Sequence, residues 1–313
     1  MNSVPSLWTD TLRDLLRRHG IRHFTVAGAP LLVDAEAAGS YRRWLESGQA
    51  GCMDYLERYD DLRRDVGMLL PGARSMICCA IPYWHPDSAK SHGIAAYALG
   101  DDYHEVVRRH LGEASAEISV LTGGECRVCV DTAPLRERYW AARTGLGIKG
   151  CNGHLIVPGY GSYFFLGEII TTALLETTPP PAEPRDCGRC GRCLRTCPTG
   201  ALQTDGSVDA RRCLSYLTIE HRGEFPEGTD LHGQLYGCDI CARVCPHNRH
   251  PEQAVYDEFT PLEEVLAVTA ESALTMTQEQ FSATFRHSAI KRTKLAGLRR
   301  NAAAILADKA AKQ

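Results

Sequence analysis

Eight of the chain's 14 cysteines fall between Cys187 and Cys245, and their spacing restricts what that stretch can fold around. The first four read Cys187-x2-Cys190-x2-Cys193-x3-Cys197-Pro198, a run in which three thiolates hold one [4Fe–4S] cluster and the fourth reaches across to a second. The later run, Cys238-x2-Cys241-x3-Cys245-Pro246, has Leu235 where its first cysteine belongs; Cys213 is the substitute. Exchange of the fourth ligands groups Cys187, Cys190, Cys193 and Cys245 on one cluster and Cys197, Cys213, Cys238 and Cys241 on the other. Two zinc sites also accept Cys-x2-Cys pairs, but they leave the repeated Cys-x2-Cys-x3-Cys-Pro unexplained. Cluster ligands must be free thiolates, in keeping with a reducing compartment. The other six cysteines, Cys52, Cys78, Cys79, Cys126, Cys129 and Cys151, are expected to be buried small apolar residues.

At 313 residues, with 44% apolar and 23% charged side chains, the chain can form two or three domains around real cores. Met1 to Asp10 lacks a signal-peptide pattern and no apolar run approaches membrane-spanning length, so a cytoplasmic protein without a membrane partner is expected. The net charge of −3 is unevenly distributed. From Ser282 onward eight basic residues face only Asp308, a local charge of +7 that leaves −10 for the rest. Such an end reads either as an anion-binding surface or as a solvated helix face.

Strand-like runs at Ile21–Val26, Ser75–Ile81, Cys126–Asp131, His154–Val157 and Tyr163–Leu166 alternate with helical spacing at Tyr41–Glu46, Tyr103–Leu121 and Leu135–Thr144. The pattern predicts an α/β or α+β layer domain with one central sheet over residues 1–178. The stiff break Thr177 to Pro184 marks a boundary before a cluster module at 185–250. Beyond it, 251–313 reads as helices at Leu262–Val268, Thr277–Phe285 and Leu298–Ala310, the last starting after Gly297 with Arg299 and Arg300 near its N-terminus.

A passive electron carrier does not need the first 178 residues. Asp131 follows an alternating strand and precedes Thr132-Ala133-Pro134, so a carboxylate stands at a strand end. It reads either as a general acid whose pKa burial raises, or as a turn or capping residue. Gly145 to Gly153 holds four glycines and lets backbone approach a ligand, a phosphate included, although neither a P-loop nor a first strand–helix dinucleotide motif is present. Gly159 to Phe165 suits either a wall for a large flat cofactor or an ordinary hairpin.

Together these segments resemble the epoxyqueuosine reductase family. The resemblance rests on YALGDDYH at 97–104, VDTAPLRER at 130–138, the Gly145 loop, GSYFFLGEI at 161–169, both cysteine runs, SYLTIEH at 215–221, SAIKR at 288–292 and RNA at 300–302. It covers nearly the whole chain. It implies an α+β protein with an N-terminal cobalamin-binding sheet domain, a ferredoxin-like module with two [4Fe–4S] clusters, and a short helical, repeat-like C-terminal segment that binds tRNA. The implied reaction reduces the epoxide of epoxyqueuosine to the alkene of queuosine at the tRNA wobble position. An external electron donor feeds the clusters and these feed cobalamin, in a chain expected to be a monomer.

By position, the resemblance makes Asp131 the proton donor, with His104 and Arg138 orienting substrate or tuning the acid. It makes Arg58, Tyr97, Ser162, Ser215 and Thr218 neighbours of cobalamin, and Lys291, Arg292, Arg299 and Arg300 contacts to the tRNA backbone. The family commonly has arginine at Ala96, a base at Asp101, lysine at Cys151 and tryptophan at His247, departures expected near the cobalamin or tRNA face. Rival readings are a reductive dehalogenase-like cobalamin enzyme acting on a small molecule and a ferredoxin-type electron-transfer protein.

Overall fold

The computed structural model describes residues 7–179 and 186–312; part of the proline-rich break, residues 180–185, lies outside them. Six strands form in chain order: β1 (His23–Gly28), β2 (Ser75–Pro82), β3 (Cys126–Cys129), β4 (Ile148–Lys149), β5 (Leu155–Ile156) and β6 (Phe164–Thr171). Four build one antiparallel sheet in the order β1-β2-β6-β3, and β4 and β5 pair as a separate hairpin. Every residue of β2 is buried, because helices cover both faces of the sheet.

One face carries Ile77, Ile81, Phe165 and Ile169 against Val106, Val107, Leu111, Ala114 and Ile118 of the helix Tyr103–Thr122. Each such side chain contributes about 1.5–3 kcal/mol on burial. Asp102 caps that helix by accepting the His104 N–H, and Gly123, at φ 70°, ends it in the left-handed conformation that glycine adopts without a Cβ penalty. The other face packs Met76, Cys78, Cys129 and Ile170 against Leu135, Trp140 and Ala141. The strand expected at Tyr163–Leu166 runs on to Thr171 because the polar Glu168 points into this interior, fully buried.

A second core joins the cluster module to the C-terminal helices: Leu214, Leu217, Leu235 and Tyr236 pack with Phe281, Phe285, Leu298, Ala302 and Ile305. The last helix spans Lys294–Ala311, one turn earlier than expected. Gly297 does not start it. This glycine lets the helix backbone pass Thr293, whose Oγ1 would lie 2.4 Å from an added Cβ. Arg299 and Arg300 therefore sit in the second turn, away from the free N–H groups. A further helix, Ala270–Thr275, begins with a capping box between Thr269 and Ser272. Among the described residues no helix is long and apolar enough to cross a membrane.

Candidate active site and cluster sites

Asp131 lies two residues beyond β3, with its backbone at φ 45°, a conformation that costs a non-glycine residue energy and recurs at functional sites. Two contacts hold it there. Its N–H donates to Glu137 Oε1 at 2.7 Å, and its Oδ2 lies 2.9 Å from His104 Nε2. The other ring nitrogen of His104 lies 2.7 Å from Asp102 Oδ1, so the helix-capping carboxylate also orients the imidazole. The Tyr103 ring stacks on His104 at 4.0 Å and on Phe165 at 4.3 Å, and its phenol lies beside Asp131.

The expectation that burial leaves Asp131 protonated is corrected by this geometry. Although 53% of its side-chain surface is exposed, the protein crowded around the carboxyl desolvates it and pushes it up, but the hydrogen bond and charge of His104, then Tyr103 and Arg292, outweigh this and hold Asp131 below its ordinary value. Burial lowers His104, yet Asp102 and Asp131 together raise it to about 9. The proton that the pair shares at neutral pH therefore rests on the imidazole. Behind it, burial and then Asp131 push Glu137 up to about 7. Burial and then Glu137 push Glu168 well above the carboxylate range, and both oxygens of Glu168 lack partners.

The thiols form two quartets. Cys187, Cys190, Cys193 and Cys245 line one cavity, and Cys190 is exposed. In the other set, burial and then the sulfurs of Cys238, Cys213 and Cys197 raise the Cys241 thiol, while Cys213 and Cys238 pack against the second core. The two quartets are half-buried except at Cys190, and the second is the one that packs against a hydrophobic core.

Two family models match: "Epoxyqueuosine reductase QueG" over residues 63–132 and "4Fe-4S double cluster binding domain" over 186–248. An epoxyqueuosine reductase from Gloeobacter violaceus is 41% identical across 94% of both chains. This chain belongs to the epoxyqueuosine reductase family. Among solved members, an epoxyqueuosine reductase with a tRNA-Tyr epoxyqueuosine-modified stem loop superposes with a TM-score of 0.86 at 29% identity, covering 96% of this chain and 80% of that one. The Bacillus subtilis epoxyqueuosine reductase, described with its catalytic aspartate loop swung out of the active site, gives 0.82 at 28%, covering 96% and 81%. As an epoxyqueuosine reductase family member the chain is an oxidoreductase, and 186–248 is its double-cluster segment.

Within this epoxyqueuosine reductase fold, the other residues singled out in the sequence separate by environment. Arg292 joins the site: it pairs with Glu220 at 2.8 and 2.9 Å, lies 5.8 Å from the centre of the Tyr55 ring, and its charge reaches Asp131. Tyr97 lines the same region, 6.0 Å from the Tyr103 ring. Arg138 turns away to the Gly153 carbonyl at 2.7 Å. Ser162 binds Asn248 at 2.7 and 2.9 Å. Thr218 is fully buried, with its hydroxyl accepting the Gly237 N–H. Ser215 lies in the short helix Leu214–Ile219, and Arg58 is exposed at the end of the helix Tyr55–Arg58. Arg299 donates to the Met276 carbonyl, Lys291 to that of Arg286, and Arg300 to those of Leu217, His221 and Gly223. Asp102, Tyr103 and Glu137 were not singled out as site residues, although the capping pattern before Tyr103 marks the first.

The Gly145 loop lies against the hairpin and the cluster module. Gly147 packs on Leu155 and Ile156, and Asn152 reaches the Cys241 carbonyl. Three cysteines also depart from expectation: Cys52 is exposed, Cys126 is half-buried, and Cys151 lines the outer-quartet cavity with its Sγ 3.5 Å from that of Cys187. His247 Nε2 lies 3.2 Å from the Cys187 carbonyl oxygen. Two of the departures from the family pattern therefore meet at the outer cluster site.

Proposed function

We propose that this chain reduces epoxyqueuosine in tRNA to queuosine, with the Asp131–His104 pair supplying the proton to the departing oxygen. The observation that carries the reading is the 2.9 Å contact between Asp131 and an imidazole raised to about 9. The overall change is epoxide plus two electrons and two protons to alkene and water. As negative charge develops on the oxygen, a proton held between His104 and Asp131 can move to it without waiting for solvent. Asp102 and Tyr103 keep the imidazole oriented, and Arg292 adds positive charge on the facing wall.

The residues around Asp131 fit a cobalamin. Tyr55, Tyr97 and Tyr103 offer flat aromatic walls. Nε of Arg63, which shares the surroundings of Tyr55 with Asp131, and Oδ1 of Asp60 are buried without partners, and an amide-fringed macrocycle both donates and accepts hydrogen bonds. When bound, that group would supply a strongly reducing cobalt centre. Both nitrogens of His104 are held by carboxylates, so the histidine holds a proton rather than a metal. Electrons would enter at the outer quartet and reach the site through the inner one. The stem-loop complex of the solved relative supports tRNA as substrate, and Arg292, whose charge reaches Asp131, with its neighbour Lys291 are the basic residues proposed to meet its backbone. The swung-out aspartate loop of the Bacillus subtilis protein agrees with a strained, movable Asp131 segment.

The test is incubation of the reconstituted protein with an epoxyqueuosine-containing stem loop, cobalamin and a strong reductant, followed by nucleoside analysis. Queuosine should form, and Asp131→Asn should retain iron and corrinoid spectra while turnover falls by at least about 100-fold. Near-normal turnover in that variant would remove the acid role.

A further inference from the structure

Four arginines, Arg192, Arg195, Arg243 and Arg249, surround an open cavity of about 450 Å³ whose wall includes Cys245, Pro246 and Val244. All four are exposed. Among the described residues none forms an ion pair within 4.0 Å. Asp239, an acid whose carboxyl feels Arg243, is buried and accepts the Ala96 N–H at 2.7 Å. This concentration of free positive charge stands on a body that carries −10 before Ser282. Its location is specific: Cys245 belongs to the outer quartet, and exposed Cys190 lies in the same quartet.

We infer that this arginine-ringed cavity is the docking site of an acidic one-electron carrier protein, which reduces the outer cluster through the Cys245 edge. The inference rests on the proposed reaction only in that the reaction consumes two electrons, delivered as two single transfers, each oxidising one carrier and reducing one cluster. Arg195 also donates to the Cys190 carbonyl at 3.2 Å, but guanidiniums without an acidic partner bind carboxylates in a bidentate fashion, and opposite patches speed encounter without requiring tight binding. A brief encounter is what a carrier that must leave after each electron needs. An RNA backbone would also find the patch attractive, but the inner quartet and the Asp131 site draw on the second core and the C-terminal Arg292, whereas these arginines border the outer quartet.

The experiment uses holoprotein with both clusters loaded and follows the visible absorbance of the clusters by stopped flow. Two reductants are compared, a reduced acidic [2Fe–2S] ferredoxin and photoreduced deazaflavin. For Arg195→Glu with Arg249→Glu, the second-order rate constant with ferredoxin should fall at least about tenfold. Its steep decline with ionic strength should flatten, while the deazaflavin rate and the Kd for the stem loop stay unchanged. Should the double variant load iron poorly, Arg195→Gln with Arg249→Gln should show a smaller fall of the same kind. An unchanged ferredoxin rate, or a wild-type rate indifferent to salt, overturns the assignment. So does weaker stem-loop binding, which would give the arginines to RNA. Cluster reduction requires no epoxyqueuosine, so failure here is separable from failure of the proposed reaction.

Discussion

Nε2 of His104 lies 2.9 Å from Oδ2 of Asp131, and of the two it is the histidine that holds the proton at neutral pH. Turnover should therefore be level through neutrality and decline as pH rises through about 9, the value to which the flanking carboxylates raise the imidazole. Asp102→Asn should move that decline to lower pH. The same linkage acts on stability. His104 is raised above its unfolded value of about 6.5, so its contribution is complete below that pH and is lost as pH rises through about 9. A pH–rate profile and melting curves of wild type and His104→Gln check both; a rate flat to alkaline pH would contradict the assignment.

Cys213 stands with Cys197 and Cys238 around Cys241, where it would replace the ligand missing at Leu235. Cys213→Ala should reduce bound iron from about eight to about four per chain, leaving a single cluster. Iron and sulfide assays with EPR of the reduced protein decide the point, and an unchanged iron content would break the quartet assignment.

Arg300 is a structural arginine. Its guanidinium donates to three main-chain carbonyls and lies 4.2 Å from the centre of the Phe225 ring. Arg300→Ala should lower stability by about 2 kcal/mol with little change in stem-loop affinity, whereas Lys291→Glu should weaken binding and reduce its salt dependence. Denaturant melts and titrations at two salt concentrations separate the roles.

Cys151 places a thiol beside the Cys187 sulfur. Since hydrogen bonds to cluster sulfurs help set reduction potential, Cys151→Ala should keep about eight irons per chain yet shift the outer cluster to a more negative potential. An EPR-monitored redox titration reads this directly, with Cys151→Ser expected between the two.

The cysteine runs made the cluster segment legible because ligand spacing is a local property of the chain. The alternation before Asp131 likewise placed it at a strand end, and the helix from Tyr103 was readable from its apolar period. What spacing could not convey were long-range effects. Burial argued for a protonated Asp131, but the sign reversed once His104, 27 residues away, was brought against it. The basic tail read either as an anion-binding surface or as a solvated helix face, and its arginines divide: Arg292 turns to Glu220 while Arg299 and Arg300 turn to main-chain oxygens. Glu168 interrupted a strand pattern because a neutral, buried carboxyl is indistinguishable in sequence from a solvated one.

The apolar wall behind Cys213 and Cys238 makes the two cluster sites unequal in failure. Loss of the outer cluster should leave the hydrophobic cores in place, since none of its four cysteines packs against them. Loss of the inner one loosens the partition between the sheet domain and the final helix.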